Sequence, residues 1–176
     1  QELYRFDTLH AAGEMVKIRY CLIPYLYSEF LKAALRDDMM FKPLGFDFPA
    51  DHMAKETEDQ LLIGDELMIA PVYKQNARGR YVYLPEEMML VRMQTWDQIH
   101  TEILPKGHHY VDIALEELVF FIRQQKAIPF GRPARNTDCI DQSALQLLGY
   151  PGCTYELYAD NGISPEPETS LSITTL

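Results

Sequence analysis

Asp59 to Pro85, DQLLIGDELMIAPVYKQNARGRYVYLP, decides the fold. It holds one short apolar run, a Gly64-Asp65 turn, a second run ending at Ala70-Pro71, a polar loop, and a third run from Tyr81 to Leu84. Runs this short, bounded by Gly, Asp and Pro, read as strands rather than helical turns. The loop between the second and third runs carries Lys74, Gln75, Asn76, Arg78 and Arg80. It is either solvated or a polar contact for a sugar hydroxyl or a neighbouring domain. No side chain in the stretch has the setting of a catalyst.

Beyond this stretch the strand pattern continues. Candidate strands are Phe41 to Gly45, Leu61 to Ile63, Glu66 to Pro71, Tyr81 to Leu84, Met88 to Met93, His109 to Ala114, Phe120 to Ile122, Ala144 to Leu148, Cys153 to Tyr158 and Ser170 to Thr174. Asp51 to Lys55, after Pro49, reads as a short helix with an aspartate cap. Strands at this spacing predict a mainly β chain built as an antiparallel β-sandwich. There is no internal repeat, and the one biased segment is the Pro/Glu-rich loop Ser164 to Glu168.

The N-terminal end is different. From Thr8 to Arg36, Met15, Ile18, Leu22, Ile23, Leu26, Phe30, Leu31, Ala34 and Leu35 recur at three- and four-residue steps, as in an amphipathic helix. Pro24 predicts one kinked helix, or two with the second beginning near Ile23. Asp37 and Asp38 sit where the helix dipole disfavours carboxylates, so the helix should stop there. The division expected is 1–38 helical, 39–135 sandwich, and 136–176 the last sandwich strands or the start of a further domain. Such a helix cannot bury its stripe alone, so it must pack on the sandwich, on something outside the chain, or on a second copy in a homo-oligomer.

Composition excludes several functions. The 176 residues are 47% apolar, enough for a real core, and 16 basic against 26 acidic residues give a net charge of −10. That balance argues against nucleic acid as a partner. No apolar run approaches the roughly 20 residues that cross a bilayer, and the first residues do not read as a signal peptide, so no membrane partner is expected. Cys21, Cys139 and Cys153 are widely spaced without a CxxC pair, which favours free thiols and a cytoplasmic location over a Cys139–Cys153 disulfide. The chain begins with Gln1 rather than methionine, which suggests processing or truncation.

Residues able to carry chemistry are few. The acidic pairs Asp37/Asp38, Glu58/Asp59, Glu86/Glu87 and Glu116/Glu117 could serve glycoside hydrolysis, which needs two carboxylates across a sugar bond. Neighbours in sequence usually diverge, so solvated pairs are expected. His108 and His109, with Asp112, could ligate a metal, but on a strand the two imidazoles point apart. Tyr158 to Gly162, YADNG, could ligate calcium, and equally fits an Asx turn. Trp96 could stack on a sugar or belong to the core. No phosphate loop, GxSxG or HExxH motif occurs. No catalytic, metal-binding or cofactor-binding residue is assigned to the chain.

Four segments resemble glycoside hydrolase family 31, the alpha-glucosidase and alpha-xylosidase family. They are the opening stretch, IRYCLIPYLYSEFLKAAL (Ile18 to Leu35), MFKPLGFDFP (Met40 to Pro49) and LVFFIRQQKAIPF (Leu118 to Phe130), in the family's order. YADNG stands where the family often has Tyr-x-Asp-Asp-Gly. Departures are Lys42 for a common arginine, and Gln124 and Gln125 for two glycines. The resemblance covers roughly Gln1 to Gly162 and implies the end of a (β/α)8 barrel followed by the proximal C-terminal sandwich.

Members of that family hydrolyse alpha-linked glucosides or xylosides with retention, using two barrel aspartates. Their Trp-x-Asp-Met-Asn-Glu and Gly-Asp-Asn segments do not occur here. Gly64-Asp65 is followed by Glu66 and belongs to the sandwich motif. A barrel takes about 250 residues, more than the chain has. The resemblance therefore implies a structural portion whose partners are the rest of the barrel and, through it, an alpha-linked oligosaccharide. Alone it should not hydrolyse an aryl alpha-glucoside. The alternative is a carbohydrate-binding sandwich, which requires an exposed aromatic platform flanked by polar groups.

Overall fold

The computed structural model describes residues 9–164 and 170–176. The segment Gln1 to Phe6 and most of the loop Ser164 to Glu168 lie outside them.

Helix α1 is continuous over Leu9–Arg36, 28 residues with Pro24 inside it. One helix forms where two were an alternative. Pro24 lacks the N–H that would reach the Tyr20 carbonyl. The next carbonyl, of Cys21, accepts the Gly131 N–H at 2.9 Å, so the interrupted turn is tied to the β domain. The helix ends at Arg36, and Asp37 takes φ 56°, a left-handed exit that Asp tolerates better than most residues.

The strands are β1 (Phe41–Pro43), β2 (Leu61–Ile63), β3 (Leu67–Ile69), β4 (Gly79–Leu84), β5 (Met88–Thr95), β6 (Gln98–Leu104), β7 (Gly107–Asp112), β8 (Leu118–Arg123), β9 (Ala127–Phe130), β10 (Gln146–Gly149), β11 (Glu156–Ala159) and β12 (Ser172–Thr175). Six form an antiparallel sheet in the order β1-β2-β3-β8-β5-β6. Pairs β4–β7, β9–β10 and β11–β12 are two-stranded antiparallel ribbons.

The central strands of the six-stranded sheet are buried on both faces, and side-chain alternation divides them cleanly. Met89, Val91, Met93, Phe120 and Ile122 join one cluster with Ile18, Cys21 and Tyr25 of α1, Ile128 and Phe130 of β9, and Leu157 of β11. Met88, Leu90 and Phe121 join the other, with Val82 and Leu84 of β4 and Val111 of β7. One face thus carries α1 with the C-terminal ribbons, and the other carries the β4–β7 ribbon.

Three assignments differ from the sequence pattern. After Pro43 the chain turns into a four-residue helix α2, Leu44–Asp47, instead of extending β1 to Gly45. Strand β6 has no counterpart in the apolar pattern because it is an edge strand with mostly exposed residues. Strand β9 follows β8 after a turn at residues 124–125, where Gln125 takes φ 56°. The short helix forms as expected: α3, His52–Glu56, with the Asp51 side chain accepting from Met53 N and Ala54 N. No helix among the described residues is long and apolar enough to cross a membrane.

Candidate functional site

Where α1 meets the sheet, polar side chains are buried among the apolar ones. The sheet-facing side of α1 carries Ala11, Glu14, Ile18, Cys21, Tyr25, Ser28 and Glu29, at helical three- and four-residue steps. Tyr25 Oη donates to the Ile63 carbonyl and lies 3.3 Å from Glu66 Oε2. Tyr155 Oη donates to Glu29 Oε1 at 2.5 Å, and Lys32 Nζ reaches the same oxygen at 2.7 Å while lying 4.0 Å above the Tyr155 ring. Ser28 Oγ accepts the Tyr158 N–H at 2.8 Å. Glu29, Lys32, Glu66 and Tyr155 border a cleft of about 240 Å³.

Two carboxylates therefore share this seam, Glu29 and Glu66, both under 10% exposed. Burial, then the neighbouring Glu29 charge, raises the Glu66 pKa above the usual 4.5, opposed by Lys32 and Lys126. The Tyr25 and Tyr155 hydroxyls are pushed up by burial first and by the carboxylates second, so both stay protonated donors. For Glu66 the folded state binds its proton more tightly than the unfolded state. Its contribution to stability is full below pH 4.5 and is lost as pH rises through the folded pKa. Glu66→Gln, which mimics the protonated acid, is expected to remove this slope. Denaturant melts at stepped pH between 4.5 and 7 should show the parent-minus-variant difference falling as pH rises; a constant difference would refute the assignment.

A second network fixes α2 to the sheet. Arg123 on β8 reaches Asp47 at 2.6 Å and Glu86 at 2.7 Å, and its guanidinium lies 4.7 Å over the Phe48 ring. Lys42 joins it, bonded to Asp65 and 3.0 Å from Asp47. Burial opposes ionisation of Asp65, but the Lys42 ammonium outweighs it and holds the carboxyl below its usual range.

The sequence candidates scatter through such structural contacts. Glu86 pairs with Arg123, while Glu87 accepts from Tyr150 at 3.4 Å. Asp59 pairs with Arg80 at 2.6 Å, and Glu58 is exposed. Glu117 takes Arg92 at 3.0 Å, and Glu116 is exposed, as are Asp37 and Asp38. His108 packs against the Tyr83 ring, whereas the His109 imidazole lies 2.7 Å from the Pro105 carbonyl and Asp112 pairs with Arg92. Among the described residues no three His, Cys, Asp or Glu gather into a metal site. In YADNG, Asp160 accepts from Gly162 N and Tyr27 Oη, and Asn161 accepts from Ile163 N and Ser164 N, which is turn geometry. Trp96 packs against the core. Cys21 is a buried thiol, its pKa pushed up to about 11 by burial, and Cys139 and Cys153 are free thiols.

The polar loop holds itself together. Arg80 Nη1 donates to the Pro71 carbonyl at 2.7 Å and to the Asp59 carbonyl at 3.1 Å. Tyr73 Oη donates to Asp59 Oδ2 at 3.2 Å, with the Arg80 guanidinium 5.6 Å from its ring. Beside it, Tyr81 on β4 faces Tyr110 on β7 in register, edge to face at 5.1 Å. Neither the tyrosine surface nor Glu29 and Glu66 stand out in the sequence. The available signals were Tyr81 and Tyr110 as exposed-phase positions of two paired strands, and Glu29 four residues after Tyr25 on one helix face.

Known proteins share this architecture. Residues 37–128 match the glycosyl hydrolase family 31 C-terminal domain. Alpha-glucosidase 2 of Bacillus thermoamyloliquefaciens is 30% identical over 84% of the chain, and an alpha-glucosidase of Schizosaccharomyces pombe is 28% identical over 98%. The solved structure of a family 31 alpha-xylosidase from Xanthomonas citri superposes over 96% of the chain with a TM-score of 0.78 at 26% identity. In each case the chain spans 18% of the other protein's length. With the matched region covering more than half of its residues, the chain belongs to glycosyl hydrolase family 31 and carries that family's C-terminal domain.

Proposed function

We propose that the chain is the C-terminal scaffold of a retaining alpha-glucosidase-like glycoside hydrolase. Residues 1–38 supply closing barrel helix, 39–135 the proximal sandwich, and 136–176 its last strands or the start of a further domain. The catalytic aspartates belong to the barrel, which acts on alpha-linked oligosaccharide. Three free thiols fit a reducing compartment such as the cytoplasm.

The observation that carries this reading is that α1 is apolar on two opposite faces. One is sewn to the sandwich. The other presents Leu9, Val16, Tyr27 and Phe30, all exposed, with Leu9 at 55% and Phe30 at 54%. An exposed apolar stripe along an otherwise anchored helix fits a packing partner, and in this reading the partner is the barrel.

Phe30→Asp tests it. In the 176-residue chain alone the substitution should change stability by less than about 0.5 kcal/mol, because the ring is solvated. In a polypeptide that joins the chain to a family 31 barrel, the same substitution should lower the temperature at which aryl alpha-glucoside hydrolysis is lost by several degrees, roughly 4 °C. Equal effects in the two settings would overturn the buttress. Hydrolysis by the chain alone that disappears on replacing one of its own carboxylates would overturn the scaffold reading.

A further inference from the structure

The β4–β7 ribbon and the loop before it turn three phenol rings outward. Tyr81 is 73% exposed, Tyr73 65% and Tyr110 58%. Exposed tyrosines are ordinary one at a time, but these are held in place. Tyr81 and Tyr110 brace each other edge to face, and Tyr73 is pinned by Asp59, itself clamped by Arg80. Beneath them Gln60 is buried and its amide is consumed by the Tyr83 backbone, donating to its carbonyl at 2.7 Å and accepting its N–H at 2.8 Å, so the floor is rigid. Tyr73 and Tyr81 border an open groove of about 400 Å³ whose other wall is the segment Glu56, Thr57, Glu58 and Asp59.

We infer that this groove binds a neutral glucan oligosaccharide, stacked on Tyr81, which Tyr110 braces, and hydrogen-bonded along residues 56–59. A pyranose ring offers just the two chemistries present. Its C–H face packs on an aromatic face, and its hydroxyls donate to carboxylates. The acidic wall repels anionic polymers, nucleic acid included, and an apolar protein surface would strip water from the exposed Glu58 carboxylate without replacing it. Rings fixed before the ligand arrives lose little conformational freedom on binding. The choice of an alpha-linked glucan rests on the proposed function; the stacking itself does not. The site lies on the face of the six-stranded sheet opposite α1. A long substrate could thus be held at a distance from the helix that meets the barrel.

The 176-residue chain titrated with maltohexaose and with isomaltohexaose by calorimetry tests this. Saturable binding is expected, weakened about fivefold by Tyr81→Ala or Tyr110→Ala and largely kept by Tyr81→Phe, which retains the ring. Both rings are exposed, so circular dichroism should show every variant folded. Absence of saturable binding by the folded chain overturns the inference, as does binding indifferent to the alanine variants. A concentration-dependent dimer that Tyr81→Ala dissolves would assign the surface to a second copy, and also overturns it. None of these readouts involves Phe30 or a barrel, so failure here and failure of the scaffold reading remain separate results.

Discussion

Gly64→Ala should destabilise the chain by about 3–5 kcal/mol and release α1 from the sheet. Two costs combine at this position. The backbone sits at φ 64°, the left-handed region in which an L side chain adds about 1–2 kcal/mol. A Cβ there would also overlap Glu29 Oε2 and lie 2.7 Å from Tyr25 Oη, inside the cluster that joins α1 to the β2–β3 turn. The new methyl cannot be accommodated by one rotamer change. Moving Glu29 breaks the Tyr155 and Lys32 bonds, and moving Tyr25 breaks the bond to Ile63. Amide exchange distinguishes this from general weakening: protection should be lost first in α1, with β5 and β8 still protected. Uniform loss across helix and sheet would contradict it.

Arg123→Ala should cost about 2–4 kcal/mol, the larger share from groups left behind. Its guanidinium is the common partner of Asp47 and Glu86, which would then face each other's charge with only Lys42 near Asp47. It also covers the Phe48 ring and donates to the Asp65 carbonyl at 3.3 Å. Arg123→Lys should recover less than half of the loss, since one ammonium cannot span two carboxylates and stack on a ring. Chemical denaturation of the three proteins at low and high salt checks this. Full rescue by lysine would reduce the site to a simple point charge.

The sheet was legible where alternation was strong and both faces were buried. Strands β3, β5 and β8 fall close to the predicted ranges, and the family resemblance rests on the same residues. Strand β6 was silent because an edge strand needs no apolar face. For α1 the residues singled out by hydrophobicity mixed two faces. Ile18 and Leu31 are buried, whereas Phe30 lies on the opposite, exposed side. What sits against the sheet instead includes Glu29 and Ser28, which hydrophobic periodicity passes over. Their partners, Tyr155 and Tyr158, lie more than a hundred residues away, and no local pattern links them. The tyrosine surface stayed hidden for a related reason: Tyr81 and Tyr110 meet only once the register of β4 and β7 is fixed.

The bonds between α1 and β11 set an order of events during synthesis. Ser28 is bonded to Tyr158 across 130 positions, and Glu29 to Tyr155 across 126. At about 5–20 residues per second, the ribosome delivers those partners roughly 6–30 s after the helix itself. For that interval Tyr25, Ser28 and Glu29 have the helix but not its closing strand. The helix is made before every described strand yet is among the last of these elements to be locked, and a nascent chain stalled before residue 155 would offer this face to chaperones.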